Sequence, residues 1–241
     1  MPDIPAFLTS TPRHVLGFFP VALLFIALEF LYMKLAAHGH DDYDTAETAA
    51  SVGVAAGDIA SRFVFGGLAA VPFFLLYRHR LFDIPLDSAW SWFALFLGVE
   101  FLYYWFHRAS HRVRWLWATH SVHHSATAFN LSAAIRLGWT GTVSGAFVFF
   151  LPLALAGFHP AAIALMIGVG LIYQFFLHTS LPVRLGPLEW LLNTPHHHRV
   201  HHASNEDCLD RNYGSILIVF DRMFGTFAQA PLTEPLRFGL K

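Results

Sequence analysis

The chain has 241 residues, of which 55% are hydrophobic and only 13% charged, and its net charge at neutral pH is −1. Soluble domains carry about a quarter charged residues, so this composition excludes an ordinary soluble protein, and the near-zero net charge gives no basis for nucleic-acid binding. Cys208 is the only cysteine, which excludes a disulfide framework and thiolate-rich metal sites, so any metal must be held by nitrogen or oxygen.

The predicted elements are helices. Gly17–Ala36, GFFPVALLFIALEFLYMKLA, is about the length needed to cross a bilayer, with Glu29 as its one acidic interruption. Its apolar stretch is long for a signal peptide, so it is expected to be retained. An acidic loop, HGHDDYDTAET, leads to a second span, Asp58–Tyr77, and then a basic, turn-rich connection. Trp90–Phe106 carries Glu100 and has basic flanks on both sides (Arg78 and Arg80 before it; Arg108, Arg112 and Arg114 after it), so it is expected to be a tilted or partly inserted helix. Trp139–Phe158 and His159–His178 form a closing pair of spans joined by a short Gly-Phe-His-Pro turn. That hairpin returns the chain to the side it left. Residues 107–136 and 178–241 then share one face, which Arg136, Arg184, Arg199, Arg211 and Arg222 mark as cytosolic. The expected fold is all-α, an integral membrane bundle of four to five spans with a cytosolic, histidine-rich helical cap. It forms one domain over residues 1–241, with metal-binding blocks at about 100–136 and 174–226.

Sixteen histidines are many for a residue that is costly to bury without a partner. Three clusters fall on the shared face: His107 and His111; His120, His123 and His124; and His198, His201 and His202. The last is too interrupted, by Arg199 and Val200, to be a purification tag. Residues three and four apart lie on one side of a helix, so each cluster aims its rings in one direction. Eight imidazoles are too many for one ion, so two metals are expected. Structural zinc is the plainer alternative, but it usually employs cysteine; iron with open positions for oxygen suits an apolar, water-excluding setting. His14, His79 and His159 are isolated, and His38 and His40 sit in the acidic loop on the opposite face, so none of these is expected at the site.

Two stretches, EFLYYWFHRASHRVRWLWATHSVHHSATAFNLSAAIR and NTPHHHRVHHASNEDCLDRNYGSILIVFDRMFGTF, resemble the histidine-box blocks of the fatty acid hydroxylase/sterol desaturase superfamily of membrane di-iron oxygenases. The likeness covers about residues 87–229. Its YYW-x-HR, LW-x-x-H-x-VHHS, NLS-x-x-x-R and NTP-x-HHRVHH details resemble the alkylglycerol monooxygenase branch. The resemblance implies that the three clusters are metal ligands and that His178 is a further one. His197 becomes a ligand or a donor behind the ligands. Gln174 stands where some hydroxylases carry another histidine, so water or its amide would fill that position. Arg112 stands where the branch often has glutamate. No catalytic residue beyond the ligands is implied.

Metal-bound imidazoles usually donate their other N–H to a carboxylate or carbonyl. Glu100, Asp210 and Asp221 are the carboxylates expected in that role, with Asn130, Asp207 and Asn212 as further candidates that turn chemistry explains equally well. Tyr103, Tyr104, Trp105, Trp115 and Trp117 crowd the first two clusters and are expected to form an interfacial aromatic belt.

The expected function is an oxygenase that uses two irons, O2 and external electrons to hydroxylate or desaturate a lipid-like substrate, with zinc able to replace iron in an overproduced sample. No dinucleotide fingerprint or iron–sulfur cysteine pattern is present, so a separate protein or diffusible reductant is the expected electron donor. The site would face the cytosol from a bacterial inner membrane or the endoplasmic reticulum. A haem-binding electron carrier of cytochrome b type is the alternative. H-E-x-x-H is absent, which disfavours a metallohydrolase, and a transporter would place its ligands nearer mid-membrane.

Overall fold

The computed structural model describes residues 4–36, 43–230 and 234–240, with side chains described from residue 17 onward except at 36. His38 and His40 lie outside the described residues. The described chain is helical, and its one extended contact is an isolated bridge between Leu192 and Leu217.

Helix α1 (Ile4–Ala36) contains the expected first apolar stretch, Gly17–Leu35. Helix α2 (Thr45–Arg78) starts much earlier than the expected span, because Asp44 caps it: the carboxylate accepts from the amides of Ala46 and Glu47 at 2.7 and 3.3 Å. The end of the acidic stretch is therefore helix. At 34 residues α2 is about 51 Å long, more than the bilayer core requires. Helix α3 (Ala89–Arg112), capped by Ser88, runs past the expected Trp90–Phe106 limits and carries His107 and His111 on its last turns. Helix α4 (Arg114–His124) follows after the single extended residue Val113, and the one-turn helix α5 (Leu131–Ala134) is capped by Asn130.

The span expected over Trp139–Phe158 is not a continuous helix. Residues 139–145 form turns, Ala146–Phe150 is a 3-10 helix, and only Leu151–Ala156 (α6) is α-helical. The turns are stabilised laterally. The Trp139 indole donates to the Val54 carbonyl of α2 at 2.8 Å and packs against Gly57, where a β-carbon would overlap the ring. Gly145, at φ +81°, takes the left-handed conformation that a continuing helix forbids. The closing turn is as expected: Gly157 and Phe158 lead into His159, whose Nδ1 accepts from Ala161 to cap α7 (Pro160–Leu177). Helices α8 (Pro195–His202) and α9 (Val219–Met223) complete the fold.

Among the described residues, three helices are long and apolar enough to cross a membrane: Gly17–Leu35, Thr45–Arg78 and Pro160–Leu177. Their outward sides expose apolar residues such as Leu35 (69%), Val64 (71%) and Leu165 (58%), a pattern suited to lipid and not to water. Inward, Leu95, Val99, Leu153 and Ile163 join α3, α6 and α7, while Ala22, Ile26, Leu131 and Phe175 join α1, α5 and α7. Tyr104 is fully buried and Tyr103 nearly so, which removes both from the expected belt; Trp115, 68% exposed, fits it.

Candidate metal centre

The histidine clusters lie on α3, α4 and α8, with His178 at the C-terminal end of α7. The short helix α8 is set by Thr194, whose hydroxyl accepts from the His197 amide, and by Pro195 in the first turn. Its spacing then points His198, His201 and His202 inward.

The rings gather into two groups. His107, His111, His120, His124 and His201 form one, and His123, His178, His198 and His202 form the other; within each, one ligand atom per residue lies within 4.8 Å of all the rest. Neighbours in sequence are divided between groups, since consecutive helical residues differ in direction by about 100°. The His124 and His202 rings stack at 4.3 Å, joining the two groups.

The orientation of several rings follows from backbone carbonyls, which can only accept. His107 Nδ1 donates to the Tyr213 carbonyl at 2.8 Å, His201 Nδ1 to Arg211 at 2.8 Å and His178 Nδ1 to Gln174 at 2.7 Å. With the proton on Nδ1, each neutral ring presents the Nε2 lone pair to the centre. His178 Nε2 stands 3.2, 3.1 and 3.1 Å from the Nε2 atoms of His123, His202 and His198. Nitrogens bound tetrahedrally at about 2.0–2.1 Å lie about 3.3–3.4 Å from one another, so this spacing is close to that of a four-nitrogen site. In the first group His120 Nε2 is 3.0 Å from His107 Nε2 and 3.2 Å from His124 Nε2. His111 Nε2 and His201 Nε2 are buried with no hydrogen-bond partner. Converging lone pairs and orphaned nitrogens fit bound cations.

Burial, reinforced by neighbouring imidazoles, holds His120, His124, His198, His201 and His202 well below the usual histidine range, and burial takes His123 down to about 4. Burial thus favours the neutral rings that ligation requires. Asp210 lies 3.6 Å from His111 Nδ1 and 2.6 Å from Arg112, and these two partners hold its carboxyl down to about 2.

Among the described residues, Glu100 and Asp221 hydrogen-bond to backbone amides and not to an imidazole. Glu100 accepts from the Ile216 and Leu217 amides at 2.9 and 2.8 Å. Asp221 accepts from the amides of Tyr213 and Gly214, both at 2.8 Å, and from the Thr226 hydroxyl. Together they fix the stretch that offers the Tyr213 carbonyl to His107. The Gln174 side chain is fully occupied elsewhere: its oxygen accepts from Tyr103 and its amide donates to Gly170 and Ser215. Its contribution to the centre is its carbonyl. His197 belongs to neither group and packs against Phe227 at 5.3 Å. Asn212, at φ 57°, ties the His197 carbonyl to Ala228, and Asn130 caps α5.

Aromatic walls close the site. Trp117 packs on His111 and His124, and Phe129 stacks on His178 at 5.6 Å and on Phe238 at 5.2 Å. Phe129 and the Tyr213 and Arg211 carbonyls were not evident from sequence; a carbonyl carries no residue-type signal. The haem alternative needs two imidazoles facing each other across a porphyrin, but rings such as His178 and His198, 4.4 Å apart, leave no such gap.

A family model described as fatty acid hydroxylase matches residues 92–226. The chain is 51% identical to alkylglycerol monooxygenase from Danio rerio over 163 residues, which is 68% of this chain and 36% of that protein. It is 35% identical to the Caenorhabditis elegans protein of the same name over 222 residues, 90% of this chain and 43% of the relative. Ornithine lipid hydroxylase OlsE from Rhizobium tropici is 29% identical over 154 residues, 61% of this chain and 46% of that protein. The chain thus spans about a third to two fifths of the length of the alkylglycerol monooxygenases it matches. No solved structure gives a significant match.

Proposed function

The chain belongs to the fatty acid hydroxylase family, with the alkylglycerol monooxygenase branch, and from that membership we propose a membrane di-iron oxygenase that hydroxylates an unactivated C–H bond of a lipid. The observation that carries the proposal is the gathering of nine imidazoles, from α3, α4, α8 and the end of α7, into two groups each compact enough for one ion. Iron held there supplies O2 activation and C–H cleavage.

The chain's own residues do the rest. His107, His111, His120, His124 and His201 hold one ion, and His123, His178, His198 and His202 the other. Backbone carbonyls at Arg211, Tyr213 and Gln174 keep three of these rings turned inward. Trp117 and Phe129 exclude water that would divert a reactive oxidant. The lipid-exposed helices let an apolar substrate reach the centre from the bilayer, and its placement beside the ions selects the carbon attacked. Lipids of the alkylglycerol type are the first substrates to test, given the relatives' names; the named activities favour hydroxylation over desaturation. Electrons come from a separate donor, and residues 1–241 act as one unit with the centre on the cytosolic side.

The test combines metal analysis of the purified chain, loaded with ferrous iron so that adventitious zinc does not mislead, with lipid profiling under isotopically labelled O2. Two irons per chain and a lipid alcohol carrying the label are expected. A folded chain with no metal affinity, or an alcohol whose oxygen comes from water, would overturn the assignment.

A further inference from the structure

Glu29 interrupts the apolar stretch of α1, yet it is only 5% exposed. An acidic side chain in a membrane helix is costly and needs partners. Among the described residues those partners are four hydrogen-bond donors. One carboxylate oxygen accepts from the Thr179 hydroxyl and the Ser180 amide (3.2 Å), and the other from the Tyr43 hydroxyl (2.5 Å) and the Leu131 amide (2.9 Å).

Three of the four donors belong to segments that shape the second histidine group. Thr179 and Ser180 follow His178 directly, and Leu131 comes two residues after Phe129, the ring stacked on His178. The far side of the same segment is tied down as well: Arg199, next to His198 on α8, donates to the Thr179 and Leu181 carbonyls at 3.1 and 2.9 Å. The exit of α7 is thereby clamped between α1 and α8. His178 Nε2 lies 3.1 Å from both His198 and His202 at that point. A purely anchoring helix would gain from leucine at this position, whereas leucine here would leave the Leu131 and Ser180 amides without their acceptor.

We infer that Glu29 is a positioning residue of the metal centre, which pins the end of α7 so that His178 meets His198 and His202. The first membrane helix is then part of the second ion's site as well as an anchor. The inference rests on the metal-binding reading above. Groups directly behind a ligand histidine typically change metal affinity about 10–100-fold; Glu29 acts one contact further out, so about tenfold is expected, confined to the second ion.

The experiment is a cobalt(II) titration of the full chain in detergent, with chelator competition to resolve the two ions, alongside melting of the metal-free protein. The Glu29→Gln variant should bind one ion as the parent does and the other about tenfold more weakly, with Thr179→Val shifted the same way. His201→Ala, which removes a ligand of the first group, should weaken the opposite ion, and its combination with Glu29→Gln both. Parental affinity for both ions in Glu29→Gln would overturn the inference. So would equal weakening of both together with a lower melting temperature, since that is what a merely structural role gives. If Glu29→Gln fails to fold, Thr179→Val decides on the same criteria. A parent chain that binds no cobalt at all would remove the metal reading itself, and the inference with it.

Discussion

A carbonyl oxygen sorts the two nitrogens of an imidazole, and that selection orients three of the nine rings. Tyr213, Arg211 and Gln174 each take the Nδ1 proton of one histidine and leave Nε2 free. The histidines could be named from their spacing, but these acceptors could not, because every residue has a carbonyl. Two outcomes are expected at this scale. On the proposed ligand assignment, the His201→Ala and His123→Ala variants each remove a ligand from a different group, so each should bind less metal than the parent and lose turnover while still inserting; elemental analysis of the purified variants checks this. Asp221→Ala leaves the Tyr213 and Gly214 amides and the Thr226 hydroxyl without their buried acceptor. At about 1–3 kcal/mol per orphaned group, a clear fall in melting temperature should accompany weaker metal binding.

Within elements, helical spacing accounts for much of the geometry, and glycine accounts for where it stops. The run Pro195–His202 presents three histidines on one side because residues three and four apart share a face, while His196 and Arg199 point elsewhere. The same periodicity sends adjacent His123 and His124 to different groups. The 139–158 stretch shows the limit of composition. It is apolar enough to resemble a span, but Gly145 and the Trp139–Val54 bond convert its first half into turns. Gly138 belongs to the same device, since a β-carbon there would meet the Thr119 carbonyl of α4. Gly138→Ala should therefore displace the helix bearing His120, His123 and His124 and cost about 1–3 kcal/mol, read as a lower melting temperature with reduced metal content.

At the scale of the whole molecule, the outward apolar surface of three long helices fits a chain that works at a bilayer, with the histidines buried inside it. The arginine-rich segments around the site give the orientation a test. Cys208 is buried, so Arg184→Cys in a Cys208→Ala background would provide one exposed thiol beside α8. An impermeant maleimide should label it only from the cytosolic side of sealed vesicles; labelling from the opposite side would reverse the proposed topology.

Composition alone determined that the chain is apolar enough for a membrane, and the i, i+3, i+4 histidines determined that candidate metal ligands fall in three local clusters, because both signals reside in residue type and local spacing. Tertiary structure decided how nine rings divide into a group of five and a group of four, that Gln174 contributes its carbonyl and not its amide, and that Glu29 reaches from the first helix to Thr179 and Ser180. Such pairings join residues far apart in the chain through hydrogen bonds to backbone groups, and no local pattern of residue types records them.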